Sequence, residues 1–205
     1  MKKWIALGLA IAAAVLLLLL PDTPKKQYFH NQGNIFGTYY NIRYEATEDL
    51  HDSILHYLQV FDQSLSMFDQ QSIISRINRN DSVTTDELFN TMFREAMAIS
   101  QLSNGAFDIT VRPLVNAWGF GTKSQEPRAK NQDINLDSIK AFVGYDKIIL
   151  EGHHLLKSDP RTTLDASAIA KGYACDVVAN LLRKKGCDNL LVDIPQDSIY
   201  ARLGG

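Results

Sequence analysis

Cysteine is nearly absent from this chain: its 205 residues include two, Cys175 and Cys187. They form no CxxC pair, which excludes a zinc spacing and a disulfide framework, and both read as packing residues, with a single bridge left open outside the cytoplasm. A surplus of charge of one sign is missing too. Twenty-one Lys and Arg stand against 23 Asp and Glu, a formal net charge of −2, so no summed field draws the chain onto a nucleic-acid backbone and no nucleic-acid partner is expected. No HExxH, GxSxG, Walker loop or Cys–His pairing occurs, which removes metalloproteases, nucleophilic hydrolases and P-loop enzymes. There is no internal repeat and no low-complexity tract. The remainder, 45% hydrophobic and 21% charged, suits one globular domain.

One long hydrophobic run is present. Met1-Lys2-Lys3 precedes an uninterrupted apolar stretch from Trp4 to Leu20, followed by Pro21-Asp22-Thr23-Pro24. The run exceeds the usual signal-peptide core of about 7 to 15 residues and reaches the lower limit for a spanning helix. No A-x-A pattern and no cysteine stand near its end, so residues 1–21 read as an uncleaved signal anchor in preference to a cleaved signal peptide, with the globular part exported to the periplasmic or outer side of the inner membrane. Residues 22–32 read as a polar linker and 33–205 as the domain.

Within the domain, Gly33 to Glu45 alternates as a strand does, with Gly37 as a bulge or close approach. Leu50, Ile54, Leu58, Phe61 and Leu65 recur at helical spacing, predicting a helix that ends near Ser66. A second helix is expected from about Thr85 to Leu102, stopped by Ser103-Asn104-Gly105. A third is expected behind Asp165 as N-cap, its apolar stripe ending at Arg183-Lys184-Lys185-Gly186. Short strands are predicted at 147–150 and 189–194, with a hairpin turn around His153 and His154 that sends the two imidazoles to opposite faces. The fold class is α+β or α/β.

Two segments carry the chemistry. Ser103 to Gly121 holds three glycines, Asp108, and the aromatics Phe107, Trp118 and Phe120. Glycine allows close backbone approach and aromatic faces stack, so a planar ring is a plausible ligand, while composition alone favours a turn with core aromatics. The GxG lacks the continuation of a dinucleotide-binding turn. In LDASAIAKGYACD, residues 164–176, a helix start and Lys171 suit an anion, against the plainer reading of a capping Asp165 and a solvated Lys171.

Taken in order, IFGTYY, SLSMFDQQSIISRIN, GAFDITVRPLVNAWGFG, VGYDKIIL and LDASAIAKGYACDVVANLLRKKG followed by LLVDI, the chain closely resembles the ApbE family, FAD:protein FMN transferases, from about Ile35 to Ile194. The resemblance implies an α+β fold of the T-fold type and a membrane-attached, exported enzyme using FAD and Mg2+. Such an enzyme moves FMN from FAD onto a Thr or Ser hydroxyl of a target flavoprotein and releases AMP. It implies FAD contacts at Phe36, Phe68, Ala106, Phe107, Asp108, Asp165 and Lys171, catalytic roles for Asp165 and Lys171, and a Mg2+ ligand at Ala168. Phe36 and Phe68 depart from the Met and Tyr common in the family.

The resemblance also implies a chain short at its carboxyl end. Pro195-Gln196 replaces an expected Gly-Gly, and the sequence ends at Gly205, before the segment that completes the family's Mg2+ site. On that basis the strand 189–194 is expected to be left with an unpaired edge, and Mg2+ to bind poorly. The alternatives to a transferase are an inactive flavin-binding remnant and a membrane-anchored interaction module.

Overall fold

The computed structural model describes residues 25–120, 135–195 and 197–202. Its centre is a four-stranded antiparallel sheet in the order β1-β2-β5-β6, with β1 at Gln27–Ile35, β2 at Thr38–Ala46, β5 at Asn189–Ile194 and β6 at Asp197–Arg202. Alternation explains the inner face: Tyr40, Ile42, Tyr44 and Ala46 of β2 and Leu190, Val192 and Ile194 of β5 are buried. Against the sheet lie α1 (His51–Leu65) and α6 (Ala170–Lys184). Helix α1 buries Ile54, Leu58, Phe61 and Leu65, the stripe read from the sequence, and ends at Ser66. The short α2 (Ile73–Asn78) follows, and then α3 (Glu87–Leu102), capped by the Asp86 carboxylate on the Phe89 N–H. Helices α4 (Arg112–Ala117) and α5 (Leu136–Lys140) precede the hairpin of β3 (Ile148–Glu151) and β4 (His154–Lys157).

The segment read as linker and single strand is in fact a hairpin. Strand β1 begins at Gln27, inside the expected linker, and Gly37 marks a two-residue turn instead of a bulge. Phe36 and Gly37 have φ of 52° and 71°, the left-handed pair that a tight antiparallel turn requires. The amino-terminal half of β1 looked like linker because its one fully buried residue there is polar. Asn31 is 6% exposed and accepts from the Tyr44 hydroxyl at 2.7 Å.

Strand β5 has no open edge, contrary to expectation. It pairs with β2 on one side and with β6 on the other. Backbone pairing over 197–202 closes an edge that the apolar pattern alone left exposed. Cys175 and Cys187 are both buried and unbridged, as packing residues are. His153 sits in the β3–β4 turn with Nδ1 2.8 Å from the Thr85 carbonyl oxygen, while His154 is exposed on β4. No helix among the described residues is long and apolar enough to cross a membrane, and the Trp4–Leu20 run lies outside them.

Candidate functional site

Three separate stretches of chain carry the predicted site residues. The β1–β2 turn is the first. A bulky aromatic in left-handed backbone costs about 1–2 kcal/mol, and Phe36 adopts it although Asn or Gly would suit the turn better. Its ring packs edge-on against Phe61, centroids 5.3 Å apart, and Phe61 in turn meets Tyr173 of α6 at 5.4 Å. Phe68 covers the turn: a Cβ built on Gly37 would lie 3.5 Å from its ring, whose side chain remains 63% exposed. Strained backbone and a large uncovered aromatic, side by side, are features of a ligand surface.

The second stretch is the loop 103–111. Gly105, at φ 81°, sits against the Tyr145 ring. The Asp108 carboxylate organises the loop: Oδ1 accepts from the Thr110 N–H and hydroxyl, both at 2.7 Å, and Oδ2 accepts from the Tyr145 N–H at 2.8 Å. Thr110 Oγ1 then accepts from the Gly144 N–H at 2.8 Å. Phe107 is half-buried against the core and Ala106 is exposed. Trp118 and Phe120 are 51% and 81% exposed, so the reading of this loop as a turn with core aromatics does not hold for them.

The third stretch is 162–171. Asp165 is not the N-cap of the long helix. That helix begins at Ala170 with Ile169 as its cap, and Asp165 makes a local turn in which Oδ1 accepts from the Ser167 N–H at 2.8 Å. Tertiary contacts hold this segment out of the helix. Thr163 bridges Val111, the Asp165 N–H donates to the Ile109 carbonyl at 2.7 Å, and Asn78 grips Leu164 from both sides. Asn78 Nδ2 donates to the Leu164 carbonyl at 2.9 Å, and the Leu164 N–H donates to Asn78 Oδ1 at 2.7 Å. Lys171 consequently stands in the first turn of α6, not two turns in. A cation there is opposed by the helix dipole, so helix energetics do not explain it, whereas an anion at the same end would be attracted by both.

Arg112 joins the three stretches and was not singled out from the sequence. It is half-buried at the start of α4, and Nη1 donates to Met67 Sδ at 3.5 Å, next to Phe68. Burial pulls its guanidinium below the usual arginine range, and the Asp165 carboxylate counteracts this. The available signal was a lone cation inside the apolar run Ile109–Val115. Asn78 left no comparable signal, because its partner lies 86 residues away.

The order and content of these segments match a known group. The family model described as the ApbE family covers residues 36–202, which takes in every site residue named above. The chain belongs to the ApbE family. It is 35% identical over 205 residues to the FAD:protein FMN transferase of Vibrio cholerae, covering 95% of this chain and 59% of that one, and 30% identical over 175 residues to the enzyme of that name from Escherichia coli, covering 80% and 50%. Its fold superimposes on the flavin transferase ApbE of Vibrio cholerae with a TM-score of 0.79 at 32% identity, covering 87% of this chain and 60% of that structure. The apo flavinyl transferase ApbE of Pseudomonas stutzeri gives 0.76 at 26%, covering 87% and 62%. This ApbE chain thus spans about three fifths or less of the length of these relatives.

For Mg2+, the expected ligand is Ala168. Ala168 is exposed in the turn before α6, and among the described residues no backbone N–H donates to its carbonyl. Octahedral Mg2+ requires further oxygen ligands, and the described residues include no cluster of three or more His, Cys, Asp or Glu able to hold a metal.

A groove of about 420 Å3 lies elsewhere, between the loop after α2 and β4. It is lined by Val83, Lys157 and Pro160 among others and contains none of the site residues.

Proposed function

We propose that this chain acts as an FAD:protein FMN transferase, moving FMN from FAD to a Thr or Ser hydroxyl of a target flavoprotein. The observation that carries the proposal is the convergence of exposed Phe68, the strained Phe36–Gly37 turn, the Gly105–Asp108 loop and the Asp165–Lys171 turn around a half-buried arginine. Phe68 and the turn offer a flat apolar face for an isoalloxazine ring, and Ala106 and Phe107 extend the contact. Asp108 acts by shaping its loop, since both its oxygens already accept hydrogen bonds from it or from Tyr145. The amino-terminal end of α6, with Lys171, would receive the negatively charged diphosphate, and Asp165 would orient it.

In the transfer, the acceptor hydroxyl oxygen forms a bond to the FMN phosphorus, the phosphorus–oxygen bond to AMP breaks, AMP departs with the electron pair, and the hydroxyl proton is released. Protein groups contribute by placing the two reactants in line and balancing charge. Mg2+ dependence belongs to the same proposal, with the Ala168 carbonyl as one ligand. So does an exported location, with Trp4–Leu20 as the signal anchor. A reporter fused at Gly205 that is active only in the cytoplasm would refute export.

The test is to incubate the full chain, in detergent, with FAD, Mg2+ and an acceptor flavoprotein domain, and to read covalent flavin by in-gel fluorescence. Labelling that requires both Mg2+ and Lys171 is expected. One competing reading is a flavin-binding protein without transfer. A folded chain that binds FAD and labels nothing would establish that reading instead.

A further inference from the structure

We propose that the end of the domain at the carboxyl-terminal turn of α6 docks on anionic phospholipid headgroups, so that the flavin site stands at the opposite end and faces away from the membrane. The inference rests on the signal-anchor reading of Trp4–Leu20 given above. Lys26 fixes where the chain enters the domain: its Nζ donates to the Gly186 carbonyl and to Asp188 Oδ2, both at 2.8 Å. Residues 21–25 separate it from Leu20. A chain of that length spans at most about 20 Å when fully extended, so the turn after α6 lies close to any bilayer that holds the apolar run.

The residues of that turn suit lipid phosphates. Arg183, Lys184 and Lys185 close α6 and are exposed, as is Lys25. One cation in the last turn suffices to balance the helix dipole. Three consecutive ones, about 100° apart around the axis, fan out around the helix end and present their charges to a plane lying across it, where a partner on one side would meet only part of them. Arg183 Nη1 donates to the neutral Asn180 Oδ1 at 3.3 Å, and no hydrogen bond or ion pair among the described residues engages the Lys184 or Lys185 ammonium. Charge at this end is divided by element. Asp188 is paired with Lys26, Glu45 accepts from Asn189 Nδ2 at 2.6 Å, and the exposed Glu48 and Asp52 belong to the start of α1, which leaves the last two turns of α6 with cations and no carboxylate.

Strand register and helix direction place the site far from this end. Strands β1 and β2 pair Gln27 with Ala46 beside Lys26 and Ile35 with Thr38 at the other end, where the Phe36–Gly37 turn lies. Lys171 and Tyr173 open α6 at that same far end, and the rings of Phe36, Phe61 and Tyr173 pack in sequence between turn and helix. Rises of about 3.3 Å per strand residue and 1.5 Å per helical residue set the two ends about 20–25 Å apart. An acceptor flavoprotein would therefore approach from the side away from the lipid.

The experiment reconstitutes the full chain into vesicles of phosphatidylcholine alone and of phosphatidylcholine mixed with phosphatidylglycerol, acylates exposed amines briefly, and reads each lysine by mass spectrometry. With about a fivefold gain per cation near an anionic surface, Lys184 and Lys185 are expected to react about tenfold or more slowly on the anionic vesicles than on the neutral ones, and high salt should abolish the difference. Lys171, at the site end, should react equally on both. Equal rates at Lys184 and Lys185 on the two vesicles overturn the proposal and leave the anchor standing. Protection that extends to Lys171 also overturns it, because the domain then lies flat on the lipid. A chain that floats with neither vesicle overturns the anchor reading and this inference together.

Discussion

Removing the side chain of Asn78 should loosen the segment that carries Asp165. The residue closes α2 and satisfies both the N–H and the carbonyl of Leu164, which is fully buried. Asn78→Ala deletes two hydrogen bonds and leaves two buried backbone groups without a partner. A buried group left unpaired costs about 1–3 kcal/mol, so with partial relaxation the loss is about 2–4 kcal/mol. For a protein of this size each kcal/mol moves the melting temperature by about 2–4 °C, which gives a fall of roughly 5–15 °C. Thermal and urea unfolding measure this directly. Because Asp165 follows Leu164, the variant is also expected to weaken FAD binding measured well below its melting point. Val192→Ala, a truncation in the core of the sheet, should lower stability without that effect. A melting temperature within about 2 °C of wild type would refute the reasoning, because it would mean that solvent or neighbouring groups satisfy Leu164 without Asn78.

Two further outcomes concern the hairpin. The Tyr44 hydroxyl shares its hydrogen between Asn31 and Asp49 and accepts from the Leu50 N–H at 2.7 Å, so Tyr44→Phe is expected to cost about 1–3 kcal/mol in urea unfolding near neutral pH. The Tyr44 hydrogen bond holds the Asp49 carboxyl below its ordinary value of 3.8, so this contribution is present above about pH 4 and is lost as pH falls through the depressed value; the wild-type advantage should shrink there and not at alkaline pH. Gly37→Ala meets no clash, its Cβ lying 3.5 Å from the Phe68 ring, but it places a side chain at φ 71° and should lower stability by about 1 kcal/mol, read from the shift of the urea midpoint.

Elements whose signal is local were legible from the residues. The apolar stripes of α1, α3 and α6 and the alternation of β5 arise from neighbours three or four residues apart, or two, and the observed bounds follow them closely except at the start of α6, which begins at Ala170 and not behind Asp165. The blocks around Phe36, Phe68, Phe107, Asp108, Asp165 and Lys171 likewise pointed to the ApbE family, and the structure brings their segments together. The half of β1 with a buried Asn31 was not legible, because a polar residue satisfied by Tyr44 breaks the apolar alternation. Strand β6 escaped notice as well, since only its pairing with β5 defines it.

The sequence by itself thus determined the long helices, the strand 189–194 and the family they compose. Tertiary structure decided where those stretches lie relative to one another. It drew Asp165 out of the helix by the grip of Asn78 on Leu164, 86 residues away, placed Lys171 in the first turn, and set Arg112 against Met67. The physical reason is one of range: periodic burial is encoded between near neighbours, whereas the partner of a buried donor, acceptor or charge depends on the path of the whole chain.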